Sequence, residues 1–329
     1  MQFLIDNFAA LTITGLAIGA VYALIALGYT FVYGVLRLIN FAHSEVFMYG
    51  SFAAVWVVMI LGGNVSGSTG QVIFWVAMMF VAAMLMSGFV AVVIERVAYR
   101  PLRKRNAPPL IALISAIGAS FVLSEAMGLR EKIARWFGLD DTLRDYVSNS
   151  RNNVPLPTII KPQGVFNLFG YEVTNVDIFV IVGAIAMMIV LDQFVSRSRL
   201  GRGIRAVAMD PEAAALMGVN RDRVIRVTFL VGGVMAGAAA VFYLLKIGIT
   251  RYDVGFILGV KAFTAAVLGG IGNLRGALLG GFVLGLAENY GSAIVGTQWK
   301  DVVSFLLLIV ILLFRPTGLL GESLGKARA

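Results

Sequence analysis

Cysteine is absent from this 329-residue chain, and histidine occurs once, at His43. Without cysteine there can be no disulfide scaffold, no thiolate metal site and no cysteine nucleophile. A Ser-His-carboxylate triad would have to be built on His43, and no serine and carboxylate stand out with it in that arrangement. Charge is scarce as well: 14% of residues are charged against 59% hydrophobic, and the mean hydropathy is +0.87. A soluble protein of this size could not solvate that composition, so the chain reads as a polytopic membrane protein. The 27 basic residues outnumber the 18 acidic ones. They sit at the ends of apolar runs, however, which is the habit of cytoplasmic loops and not of a nucleic-acid surface. No cleaved leader is expected either, because the first apolar run is preceded by Asp6, has no basic residue before it and continues to Leu36.

The apolar runs fall at 8–36, 46–61, 72–94, 110–129, 178–195, 227–245, 254–271, 277–287 and 302–314. Several reach the ~20 residues that cross a bilayer, and the short ones adjoin polar or glycine-rich breaks. The two breaks are 40–45 (NFAHSE) and 269–276 (GGIGNLRG). Irregular backbone at membrane depth is tolerated only where protein or a water-filled path surrounds it, so both are expected to face the bundle interior. The fold class that follows is all-α, a single membrane domain over 1–329 with eight or nine crossings, some helices broken or re-entrant. Glycine and alanine crowd the second half, at 232–240 and 280–285. That density predicts closely packed helix backbones within the subunit or in a dimer.

Orientation follows from lysine and arginine. Segment 96–105 holds five positive charges and 196–226 holds seven, so both are assigned to the cytoplasm. Segment 62–71 is uncharged, and the long insertion 130–176 is balanced; both are assigned outside. Counting back puts the N-terminus outside. Nine crossings then put the C-terminus inside, where Lys326 and Arg328 fit. The insertion, with aromatics spread among charges and prolines, reads as an interfacial element or external docking surface, not as a separate domain.

Within 196–226 the residues 210–218 predict a short, well-capped helix. Asp210 is the N-cap, Pro211 the first helical residue, Glu212 an acid in the first turn, and Gly218 the stop. Ala213 and Ala214 give a smooth surface for close approach. A capped helix in an arginine-framed loop between membrane spans is suited to being gripped by a soluble partner.

Ionisable residues inside apolar runs carry a functional expectation by default. Lys261 and Glu288 flank the 269–276 break and are expected to meet in the bundle, either as a structural ion pair or lining a translocation path. Asn40, His43, Glu45 and Asn273 are the polar residues of the two breaks and join them as path candidates. His43-x-Glu45 has the spacing seen in zinc deaminases, but that site needs paired cysteines. The glycines of 269–276 lack the Lys-Ser/Thr ending of a P-loop, so the chain has no ATP site of its own and is not expected to be an enzyme or to hold a metal or cofactor.

Three blocks in order resemble the permease subunits of bacterial branched-chain amino acid ABC importers, of the type whose early block reads INFAHGE. They are 19–52, GAVYALIALGYTFVYGVLRLINFAHSEVFMYGSF; 259–290, GVKAFTAAVLGGIGNLRGALLGGFVLGLAENY; and 300–321, KDVVSFLLLIVILLFRPTGLLG. Ser44 stands where that type has glycine, and the 130–176 insertion is longer than usual, so nothing is carried over there. Glu212-Ala213-Ala214-x-x-x-Gly218 is similar to the EAA loop of ABC importers, which inserts into a groove of the ATPase. Its downstream Ile-x-Leu-Pro portion is missing, and 224–228 stands there instead. The resemblance implies an inner-membrane machine: this permease, a second related or identical one, two cytoplasmic ATPase chains carrying ATP and Mg, and a periplasmic solute-binding protein. Alternating access would move leucine, isoleucine, valine or a similar amino acid inward. Permeases for short-chain amides or urea are near relatives by resemblance, and a secondary carrier would also be polytopic but would need no ATPase.

Overall fold

The computed structural model describes residues 2–64, 67–105, 107–139, 141–148 and 150–321. A short α1 (Gln2–Asp6) leads into α2 (Phe8–Leu36), 29 residues or about 44 Å of helix. Next come α3 (His43–Ile60) and α4 (Thr69–Ile94); α4 passes through a π turn at Glu95–Tyr99 directly into α5 (Arg100–Lys104). After α6 (Pro109–Gly128) the insertion contributes α7 (Arg130–Trp136), α8 (Arg144–Val147), β1 (Val154–Pro155), β2 (Gly164–Leu168) and β3 (Tyr171–Thr174). The second half holds α9 (Asn175–Arg197), α10 (Arg199–Met209), α11 (Pro211–Leu216) and α12 (Arg221–Ile247). It ends with β4 (Ile249–Thr250), α13 (Val254–Gly269), α14 (Leu274–Val295) and α15 (Lys300–Phe314).

Each of the nine apolar runs forms a helix over all but its last one or two residues at most. Among the described residues eight helices are long and apolar enough to cross a membrane, and α13 is a shorter apolar helix of 16 residues. At the starts of α4, α9, α12 and α14 a side chain meets orphan N–H groups of the first turn. Ser68 and Gln71 form a capping box on α4, and Thr174 and Asp177 form another on α9. α2 is the central post, buried almost continuously from Ala17 to Val32 and packed by α12, α13 and α14. α9 and α15 stand at the rim with their apolar side chains outward, as lipid contact requires.

The glycines crowded into the second half serve packing inside this subunit. A Cβ on Gly281 of α14 would lie 2.5 Å from the backbone of Ala23 on α2, and one on Gly237 of α12 would lie 2.5 Å from the Ala83 carbonyl on α4. Helix backbones therefore touch, and the close packing supplies the dispersion energy that lipid, as apolar as leucine, cannot supply by exclusion.

The fold is all-α as expected, with almost no sheet: β2 and β3 form a short antiparallel hairpin in the insertion, and β1 pairs with β4, tying the insertion to the α12–α13 link. The structure corrects two expectations. The early break lies at 37–42, because His43, Ser44 and Glu45 already form the first turn of α3. The late break does not turn into the bundle. Residues after α15 wrap it, with Leu319 N donating to Leu268 O at 2.8 Å and Leu320 N to Gly269 O at 3.0 Å. Lys326 and Arg328, invoked for orientation, lie outside the described residues.

Candidate functional site

α2 ends because Arg37 takes a left-handed conformation, φ 53°, and the chain doubles back. α3 then starts inside the bundle, not at its edge. The return is pinned by Asn40, fully enclosed, whose side-chain oxygen accepts from the Tyr99 hydroxyl at 3.1 Å. His43 packs into the space left by Gly28, where any Cβ would overlap its imidazole, and its ring lies 5.0 Å from that of Tyr29. Glu45 is completely buried. One carboxylate oxygen accepts from Ser120 Oγ of α6 at 3.1 Å, and the other has no protein partner. A Cβ on Gly255 of α13 would lie 2.7 Å from that second oxygen, so α13 closes over it. The Tyr29 hydroxyl and His43 Nε2 are likewise buried with no protein partner. No ion pair or hydrogen bond among the described residues joins Glu45 to a cation. A buried carboxylate without a cation is costly, and at membrane depth such groups mark paths for charged cargo.

Lys261 and Glu288 do meet, as the sequence suggested. Lys261 Nζ lies 2.9 Å from Glu288 Oε1 and 2.7 Å from Asp301 Oδ1. Lys300 lies 3.3 Å from the same Glu288 oxygen, while Tyr22 and Ser304 donate to its two oxygens at 3.2 and 3.0 Å. Two cations and two anions thus form a balanced set that links α2, α13, α14 and α15, with Lys261 and Glu288 buried and Lys300 and Asp301 reaching the surface. Asn273 belongs to neither group. It caps α14 by accepting from Arg275 N and Gly276 N, and it holds the C-terminal segment by donating to Leu320 O at 2.9 Å.

The segment 210–218 forms as its residues predict. Asp210 Oδ1 accepts from Glu212 N at 2.8 Å and Ala213 N at 3.0 Å, and these bonds hold its carboxyl below the usual aspartate range. Gly218 ends the element at φ +83°. The two alanines part company: Ala214 is buried against the chain itself while Ala213 faces out with Glu212. Met209, Leu216 and Met217 are 82%, 89% and 84% exposed, an apolar knob beside the capped turn. Sequence reading missed this knob, and also α10, whose Ile204 and Val207 are buried beneath outward arginines. It missed Tyr22, Tyr29, Tyr99, Ser120, Lys300, Asp301 and Ser304 too. Only Lys300 and Asp301 carried a signal, as charges heading the last apolar run.

Residues 11–312 match the family model described as branched-chain amino acid transport system / permease component. The chain is similar to BraD of Pseudomonas aeruginosa, a high-affinity branched-chain amino acid transport system permease protein, at 42% identity over 313 residues and 94% of each sequence. LivH of Escherichia coli K12, described in the same terms, is 42% identical over 314 residues, again 94% of each. A probable branched-chain amino acid transport permease of Methanocaldococcus jannaschii is 24% identical over 93% of this chain and 90% of its own.

Proposed function

This chain belongs to the permease-component family of branched-chain amino acid transport systems, and we infer that it is the membrane-spanning subunit of an ATP-driven importer for leucine, isoleucine, valine or a similar amino acid. The observation that carries the ATP-driven part is the capped turn of α11 with its apolar knob, Met209, Leu216 and Met217, held out between two long spans. Exposed methionine and leucine at a rigid, charged-rimmed tip are what a soluble partner's groove would bury. That partner is a pair of ATPase chains carrying ATP and Mg. A second permease and a periplasmic solute-binding protein complete the assembly. The protein sits in the inner membrane, N-terminus periplasmic and C-terminus cytoplasmic, and itself makes and breaks no bonds.

Of the path candidates, Asn40, His43 and Glu45 carry the reading best. They lie together at a helix break, and Glu45 is an acid without a cation, facing α13 across a glycine. A zwitterionic cargo brings an ammonium group that would answer that charge. Lys261 and Glu288 neutralise one another and serve as a clamp on α15, and Asn273 acts as a cap. ATP binding would draw the ATPases together, pull α11 with them and rock the attached spans. The test is uptake by the reconstituted complex with its binding protein, using labelled leucine against unlabelled valine, isoleucine, acetamide and urea. ATP-dependent leucine uptake blocked by valine and isoleucine is expected. Uptake that runs without ATP, or is blocked only by the amides, overturns the reading.

A further inference from the structure

The helix ends around the root of α11 enclose a cavity of about 410 Å3. Its walls are the end of α2, the α4–α5 continuation, the start of α6, the end of α10 and the start of α12. Because every wall is a terminus of a long apolar helix or the loop element beside it, the cavity lies at headgroup level and not at the bilayer centre. Its lining is amphiphilic, with Val35, Leu102 and Ile225 set against Arg37, Arg103 and Arg221.

The charges around it do not balance. Arg103 reaches Glu95 at 3.1 Å and Asp222 at 2.8 Å, and Arg100 reaches Asp222 at 3.6 Å, so these two acids answer Arg100 and Arg103. Arg37 and Arg221 have no carboxylate partner among the described residues, and the Arg37 guanidinium donates to the Ala208 carbonyl at 3.4 Å. Arg103 Nη1 is buried with no protein hydrogen-bond partner. Two surplus cations and an unmet buried donor line one concave, half-apolar space. Guanidinium forks fit phosphate oxygens in pairs, and basic clefts between spans on the cytoplasmic side suit anionic headgroups.

We propose that this cavity binds the phosphodiester headgroup of an anionic phospholipid from the cytoplasmic leaflet, gripped by Arg37, Arg103 and Arg221. The apolar wall takes the glycerol and the first carbons of the chains. Met209 and Pro211, at the root of α11, form part of the same wall, so an occupied cavity braces the segment through which the ATPase acts. The proposal takes from the functional reading only which face is cytoplasmic and what α11 contacts.

The experiment uses the assembled transporter with its ATPases, as wild type and as Arg37→Gln combined with Arg221→Gln, in nanodiscs of phosphatidylcholine with or without phosphatidylglycerol. Lipid retained after detergent washing is read by mass spectrometry, and binding-protein-stimulated ATP hydrolysis is read in parallel. Wild type should retain phosphatidylglycerol selectively and hydrolyse faster with it. The double variant should retain about thirtyfold less, lose the lipid response, and match wild type in phosphatidylcholine alone. Equal retention and an unchanged lipid response in the variant overturn the proposal. Glycerol phosphate or inorganic phosphate producing the full response without phosphatidylglycerol overturns the lipid as source. Release of the ATPase from the variant in every lipid shows instead that these arginines pair with partner carboxylates, and also overturns it. Wild-type leucine uptake is scored separately, so failure here is distinguishable from failure of the importer reading.

Discussion

Lys261 Nζ sits 2.9 Å from Glu288 Oε1, joining α13 to α14 by an ion pair that is almost wholly enclosed. Removing one member leaves the other a single, more exposed partner, Lys300 for Glu288 or Asp301 for Lys261, so Lys261→Ala or Glu288→Ala should each destabilise, but by less than the about 3–5 kcal/mol of a wholly uncompensated buried charge. The double substitution leaves Lys300 and Asp301, one cation and one anion, and should cost clearly less than the sum. Arg151 and Glu125 pair at 2.6 Å but are both more than half exposed, and breaking that pair should cost under about 1 kcal/mol. Thermal unfolding in detergent reads all four variants. Strict additivity of the Lys261 and Glu288 changes would show that the pair does not act as one unit.

His43 packs against Gly28 so closely that an added methyl overlaps the ring. Gly28→Ala should therefore destabilise by about 1–3 kcal/mol through overpacking, and the penalty should nearly vanish in a His43→Ala background. The double-mutant cycle measured by unfolding decides this. An equal penalty in both backgrounds would assign the cost of Gly28→Ala to something other than the histidine.

How much was legible in the sequence follows from where the information resides. The nine helices are written in hydrophobic runs, and the cap, proline, acid and glycine of 210–218 are a local code, so both were readable. Lys261 and Glu288 were readable because a charge in an apolar run has few places to go. Ser120 beside Glu45, or Tyr22 beside Glu288, depends on which helices become neighbours, and a lone serine or tyrosine carries no pattern that says so. The 269–276 break was misread because its exposed backbone is covered by residues 317–321, a partner distant in sequence. The start of α3 was misread for a different reason. His43, Ser44 and Glu45 look like loop residues, yet the turn is closed by backbone bonds, His43 N donating to Asn40 O at 3.1 Å and Val46 N to Ala42 O at 3.3 Å, while Ser44 Oγ turns back to donate to Phe41 O at 2.8 Å.

Orientation rests on charge, and the absence of cysteine makes it directly measurable. Single cysteines at Asn64 and Asn152 should react with a membrane-impermeant maleimide added to intact cells. Cysteines at Arg100 and Arg221 should react only after permeabilisation. Labelling of Arg221→Cys in intact cells would reverse the assignment and place α11 where no ATPase can reach it.

The last prediction concerns α11. Leu216 is 89% exposed, so Leu216→Asp should change stability by no more than about 0.5 kcal/mol, since no internal contact is lost. If its methyls enter a partner groove, the same change buries a charge there, and the ATPase should no longer co-purify. Gly218→Val works by another route. No atom lies within 4 Å of an added Cβ, but the backbone is at φ +83°, which a β-branched residue adopts only at a cost of about 1–2 kcal/mol. The turn should shift, the knob should tilt, and binding-protein-stimulated ATP hydrolysis in proteoliposomes should fall while the permease stays inserted. Asp210 supplies an internal control on pH. Its folded pKa lies below its unfolded one, so the cap is fully formed above the unfolded value and is lost only as pH falls through the folded value. Coupling should therefore not respond to this group anywhere in the neutral range. Normal co-purification and normal stimulation in both Leu216→Asp and Gly218→Val would mean that α11 contacts nothing, and an ATP-independent carrier would become the better account of the chain.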